Sequence, residues 1–157
     1  MKQWFWALIL LPFNVLVIIP GAILYFTNFT YQFPNILQLA CGLVVLLGGG
    51  ILSGWSMVLF HQIGKGTPAP WASPKHLVVQ GPYKFVRNPM IIGVILILLA
   101  EALVLNTRYI FYWAVLFFIL NNLYFHYVEE KQLEKAFGKE YLDYKRKVPM
   151  WWPKFNK

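Results

Sequence analysis

Charge is the scarcest ingredient of this chain. Only 13% of its 157 residues are charged, against roughly 25% in water-soluble domains. Hydrophobic residues supply 59% and aromatic residues 18%. That balance excludes an ordinary water-soluble monomer. Acidic residues are scarcest of all, six against fourteen Lys and Arg, which leaves a formal charge of +8. Most basic residues flank apolar runs, so anionic lipid headgroups are the expected counter-charge. Nucleic acid is not an expected partner. Cysteine is nearly absent: Cys41 stands alone, which rules out an intrachain disulfide, and it reads as a small core residue in an apolar run. Familiar motifs are missing too. No Gly-x-Gly-x-x-Gly, phosphate loop or serine nucleophile elbow occurs, so classical dinucleotide and hydrolase readings lack support. No clear small-residue cleavage site follows the N-terminal apolar run, so that run is expected to stay as a span. There is no internal repeat.

What is present is four apolar runs. A bilayer core takes about 20 apolar residues of helix. Trp4 to Phe26 meets that length, with Pro12 and Pro20 expected to kink it. Ile36 to Phe60 is the second span, where Gly50 and Gly54 form a small-xxx-small pair expected to carry helix packing. Pro89 to Leu105 is a short third span and Tyr109 to Val128 a fourth, joined tightly through Asn106-Thr107-Arg108. Asn88 before Pro89 reads as a cap followed by proline at the first helical position. The sequence thus predicts an all-α integral membrane helical bundle of about four transmembrane helices with a cytoplasmic C-terminal helical tail. Residues 1-157 read as one domain: two spans over 1-60, a loop over 61-88, a helical hairpin over 89-128 and a tail over 129-157. With four spans, Lys2, Lys65, Lys75, Lys84, Arg87 and every basic residue from Lys131 onward share one side, and Arg108 lies opposite. The positive-inside rule then places both termini in the cytoplasm. In the tail, a helix is expected to stop at Gly138. A short amphipathic helix follows over Lys139 to Lys147, and Trp151-Trp152-Pro153 reads as an interfacial anchor.

Ionisable groups within spans cost roughly 2.5–3.5 kcal/mol at a helix centre on insertion scales, so each needs a reason. Glu101 has two readings: a ligand-facing carboxylate, or a carboxylate near the far interface, solvated or paired with Arg108. His126, Glu129 and Glu130 form a denser cluster. Helical spacing sets His126 toward both acids. Acids at a helix C-terminus oppose the macrodipole, so helix stability does not explain them. They read as ligand groups, or as a solvated helix end paired with Lys131, Lys135 or Arg87. Metal ligation is a minor alternative, because His61 and His76 show no matching ligand spacing. Adjacent helical residues point about 100° apart. Glu130 is therefore expected to face a cavity on the side of His126, and Glu129 to reach its rim or brace Arg87. The Gly66-Thr67-Pro68-Ala69-Pro70-Trp71 loop and the Gly81-Pro82-Tyr83 turn are expected to stiffen the segment above the helix mouths.

Two ordered segments carry a resemblance. They are Gly81-Pro82-Tyr83-Lys84-Phe85-Val86-Arg87-Asn88-Pro89-Met90-Ile91-Ile92-Gly93, and Glu129-Glu130-Lys131-Gln132-Leu133 followed by Phe137-Gly138-Lys139-Glu140-Tyr141, Tyr144 and Val148-Pro149. Over about Gly64 to Pro153 the chain resembles the isoprenylcysteine carboxyl methyltransferase and phospholipid N-methyltransferase superfamily of membrane methyltransferases. The resemblance implies S-adenosylmethionine as cofactor, bound at the cytoplasmic face, and a lipophilic or lipid-linked acceptor arriving from the membrane lipid. It implies cofactor binding by Arg87, Pro89, Gly93, Glu129 and Glu130, with Tyr83 and Asn88 of the same segment beside them; Glu101, His126, Tyr141 and Tyr144 are candidates for substrate or site-supporting roles. Arg87 suits the cofactor carboxylate, the two glutamates its hydroxyls or amine, and Tyr83 and Phe85 its sulfonium. The chain departs from many members at Asn88, where they carry His, and at Ile91, where they carry Tyr. A proton-transfer role for that histidine does not carry over, and no catalytic residue is assigned. A membrane reductase of the sterol-reductase type using NADPH and a non-enzymatic scaffold are the alternatives on the same fold.

Overall fold

The computed structural model describes residues 12–65 and 74–153. The Gly66 to Trp71 loop and the first residues of the Trp4 to Phe26 run lie outside them. The described residues form helices and turns, with no strand among them. A π turn, Asn14–Ile18, runs into α1, Ile19–Phe26; α2 follows at Ile36–Gln62, and a 3-10 turn at Gly81–Lys84 precedes α3, Pro89–Val104. Then come α4, Arg108–Tyr124, a second π turn, Phe125–Glu129, α5, Glu130–Phe137, and α6, Lys139–Lys147. Two continuous helices, Ile36–Gln62 and Arg108–Phe137, are long and apolar enough to cross a membrane, while Asn14–Phe26 and Pro89–Val104 are shorter.

Proline chemistry shapes the first helix. In the π turn the Ile19 N–H reaches back to the Asn14 carbonyl. The next residue, Pro20, has no N–H to offer the Val15 carbonyl. The Trp113 indole of α4 donates to that carbonyl instead, at 3.1 Å. One hydrogen bond thus satisfies a carbonyl left by proline and ties α1 to α4. Around it, Leu98, Ala102, Ile110 and Ala114 form the buried core, packed on by Val15, Leu16 and Leu24.

The α2–α3 contact is the most extensive in the fold, and its seam differs from the expected one. Gly50 and Gly54 face open space. Gly49 and Gly93 meet instead: a Cβ on Gly49 would lie 2.8 Å from the Gly93 carbonyl, and one on Gly93 would lie 2.6 Å from the Ser53 backbone nitrogen. The buried face of α2 is Gly42, Gly49, Ser53 and Ser56. Steps of seven, four and three residues keep one face of a helix, and Gly50 and Gly54 are each one residue off it.

At the other boundaries the chain follows its local chemistry. Pro89 opens α3 at its first turn, but the Asn88 side chain makes no capping bond. Its backbone, at φ -124 and ψ 54, is held away from the helical region by the proline that follows. Helix α5 ends at Gly138, where φ is 53, a conformation that glycine adopts without a Cβ penalty. Trp151 is not a free anchor: its indole donates to Asn122 Oδ1 at 2.8 Å and its ring packs on Phe118 and Phe125. Trp152 beside it is exposed.

Candidate functional site

The turn before α3 and the helices of the tail meet at one end of the bundle. Pro82 and Tyr83 are buried in the 3-10 turn. The Arg87 N–H donates to the Pro149 carbonyl at 2.9 Å, and the Tyr144 hydroxyl donates to the Tyr83 carbonyl at 2.7 Å. These bonds close the tail over the turn. They also fix Arg87, whose side chain is only 11% exposed.

Arg87 begins a ladder of alternating charge. Its Nη1 contacts Glu130 Oε1 and donates to the Tyr141 hydroxyl at 3.1 Å. Lys145 Nζ sits 2.6 Å from the other Glu130 oxygen and 2.7 Å from Glu134 Oε1. Both oxygens of Glu130 are thereby engaged, and the residue is buried. Hydrogen bonding to Glu130, then to Glu134, raises the Lys145 ammonium above its usual pKa. Removing one partner from such a buried pair costs roughly 3–5 kcal/mol, because it strands the other charge.

Glu129 is in a different position. It lines the cavity below the ladder, and among the described residues it has no ion-pair or hydrogen-bond partner. Both acids line the cavity, but Glu130, and not Glu129, braces Arg87; burial, and then the Glu130 charge, push the Glu129 carboxyl up to about 7. His126 is exposed and stacks edge-on against Tyr127, away from the cavity. The π turn explains this. Its closing bond runs from the Glu130 N–H to the Phe125 carbonyl, five residues back instead of four. Phe125, not His126, shares the buried side of the helix with Glu130.

The cavity encloses about 380 Å³, within the roughly 300–1,000 Å³ of small-molecule sites. Its polar mouth holds Tyr83, Arg87, Asn88, Glu129, Tyr141 and Tyr144. Its apolar arm runs between α2, α3 and α4, past Met57, Val94, Phe117 and Leu120 to Val15. Burial pushes the Tyr83 and Tyr144 phenols up from their ordinary value. Both stay neutral hydroxyls at any physiological pH. Arg87 Nε is buried with no hydrogen-bond partner. Such an orphaned donor is rare in folded proteins and marks a position where a ligand acceptor fits.

The structure brings Tyr83, Arg87, Asn88, Glu129, Glu130, Tyr141 and Tyr144 together around this cavity. Pro89 and Gly93 do not line it. Pro89 is buried at the start of α3, and Gly93 packs against α2, so they position the wall. Phe85 is exposed and stays outside. Glu101 is half-buried within α3 and away from the cavity. It makes no ion pair with Arg108 among the described residues; Arg108 lies over the Tyr109 ring, 5.5 Å from its centroid. Ile91 is in the cavity wall.

Lys145, Asn121, Tyr124 and the α2 residues Ser53 and Phe60 were not legible as site residues beforehand. Lys145 carried a usable signal, standing one helical turn after Tyr141. Asn121 carried another, as a carboxamide inside an apolar run. Ser53 and Phe60 enter through helix packing and carried none.

No curated protein matches the chain. The phospholipid methyltransferase family model matches residues 37–140, which takes in α2, the turn with Arg87, the α3–α4 hairpin and the two glutamates. By that match over most of its length, the chain belongs to the phospholipid methyltransferase family.

Proposed function

We propose that the protein transfers a methyl group from S-adenosylmethionine to a lipophilic or lipid-linked acceptor, at the cytoplasmic face of a membrane that its single domain crosses four times. Both termini and the 61–88 segment lie in the cytoplasm in this reading, which follows the distribution of Lys and Arg. The shorter helices fit it as tilted or partial crossings beside the two long ones, since Pro89–Val104 extends about 24 Å at 1.5 Å per residue.

The observation that carries the reading is the pairing of two unsatisfied groups in one mouth. Arg87 Nε is a buried donor without an acceptor, and Glu129 is a carboxylate without a donor among the described residues. A positive donor and a negative acceptor suit the carboxylate and the amine of an amino-acid head. Arg87 would hold the carboxylate through a charge-assisted bond, with Glu130 and Tyr141 fixing the guanidinium. Glu129 would accept from the amine or a ribose hydroxyl. The aromatic rings of Phe60, Tyr83, Phe125 and Tyr144 in the lining favour a cation by their π faces. When bound, the cofactor supplies an electrophilic methyl group on a sulfonium sulfur. The chain's own contribution is positioning and exclusion of water: correctly held reactants gain roughly 7–11 kcal/mol, and the apolar arm offers a dry place for the acceptor.

The charge of the lining also weighs against a nicotinamide dinucleotide. Arg87, already engaged by Glu130, is the one basic residue of the lining among the described residues, so the several phosphates of a dinucleotide would find no second cation there. Arg87→Ala tests the reading. It is expected to weaken S-adenosylmethionine binding by about 1.5–3 kcal/mol, with partial rescue by Lys, which lacks the planar fork. Unchanged affinity in folded variant protein removes Arg87 from the site.

A further inference from the structure

Asn121 is a polar side chain in the apolar arm that the proposed cofactor contacts leave unused. It lines the cavity beside Phe117 and Leu120. Polar side chains within membrane helices are found hydrogen-bonded across an interface or facing a cavity. Asn121 Nδ2 donates to the Phe117 carbonyl at 2.8 Å. A carboxamide also carries an acceptor oxygen, and Asn121 Oδ1 has no donor among the described residues. Eight residues separate Asn121 from Glu129, roughly 12 Å along the helix. The two groups thus mark different depths of one cavity.

The charge of that cavity is a second, independent observation. Arg87 is already engaged by Glu130, and Glu129 stands unpaired. Burial, and then the neighbouring Glu130, push the Glu129 carboxyl up to about 7; an anion in the apolar arm meets no cation there among the described residues, so its desolvation is not offset. An acceptor-only oxygen in the arm attracts N–H, O–H or S–H.

We infer that Asn121 is a specificity residue that accepts a hydrogen bond from the nucleophile of the methyl acceptor. The acceptor is a long-chain lipophile that ends in a neutral protic group, such as a hydroxyl, thiol or amine, and not in a carboxylate. This inference rests on the methyltransferase reading for its meaning but not for its test.

The test uses the purified full chain in phosphatidylcholine nanodiscs without methyl donor, with empty nanodiscs as background. Binding of tritiated oleyl alcohol, oleyl methyl ether and oleate is measured. Alcohol and ether differ in one donated hydrogen bond, so the alcohol is expected to bind about five- to tenfold more tightly, with oleate weakest. Asn121→Leu should bring the alcohol down to the ether while leaving the ether unchanged. Asn121→Ser keeps a hydroxyl that can donate to the Phe117 carbonyl and still accept, and should retain a preference for the alcohol. Equal weakening of alcohol and ether in Asn121→Leu would mean a structural role only, and oleate as the tightest ligand would contradict the charge argument; either overturns the inference. S-adenosylmethionine binding is measured on the same preparation. Its loss alongside an intact alcohol preference sinks the methyltransferase reading alone; its presence without that preference sinks this inference alone.

Discussion

Replacing each of the two adjacent glutamates by glutamine separates support from binding, and the structure sets different magnitudes for them. In Glu130→Gln, the amide oxygen can still accept from Arg87, but the amide NH2 then faces the Lys145 ammonium, donor against donor. Arg87, 11% exposed, keeps a buried charge with no counter-ion at hydrogen-bond distance. The stranded charge should cost about 3 kcal/mol, the lower end for a broken buried pair. In Glu129→Gln, a carboxylate with no partner leaves the cavity, so stability should stay within about 0.5 kcal/mol or rise slightly. Cofactor affinity should move the other way: Glu129→Gln loses a charged bond to the ligand, roughly 1.5–3 kcal/mol, or about ten- to 150-fold. The assay is thermal unfolding in detergent beside equilibrium binding of labelled S-adenosylmethionine for both variants. A large loss of stability in Glu129→Gln with unchanged affinity would refute the division of labour.

Two further outcomes follow from packing and titration. Gly93→Ala should destabilise the α2–α3 pair severely, since its Cβ would sit 2.6 Å from a backbone nitrogen, whereas Gly50→Ala and Gly54→Ala meet nothing within 4 Å and should be tolerated; unfolding midpoints of the three variants check this. Burial raises the Tyr83 and Tyr144 phenols above their ordinary value of 10.0, and hydrogen bonds to Glu130 and Glu134 raise Lys145 above 10.5. A raised folded pKa means that the native state holds its proton longer than the unfolded chain, so stability is intact below pH 10 and falls as pH climbs beyond it. Unfolding midpoints that stay flat from pH 9 to 12 would contradict the burial of those phenols.

The sequence made the helices legible because period and punctuation agree. Pro89 at a helix start, Gly138 at a helix end and the amphipathic run Lys139–Lys147 all stand in the structure where they were expected. The approach of the Arg87 turn to the tail was also legible, through the resemblance and through charge. What was hidden is rotation. A π turn at Phe125–Glu129 adds one residue to a turn and leaves no composition mark, so the brace of Arg87 is Glu130 instead of Glu129 and His126 faces outward. The glycine seam failed in a similar way. With Gly48, Gly49 and Gly50 in a row, the pattern offers three registers, and only the neighbouring helix selects Gly49. Glu101 and Phe85 were plausible by chemistry alone, and tertiary geometry keeps both away from the cavity.

The central claim is that the cavity between the Arg87 turn and the tail holds a methyl donor. Equilibrium binding of labelled S-adenosylmethionine to the purified wild-type chain, with unlabelled S-adenosylmethionine and NADPH as competitors, tests it most directly. The account predicts saturable binding that S-adenosylmethionine displaces and NADPH does not. Displacement by NADPH at comparable concentration, or no saturable binding by folded protein, would contradict it.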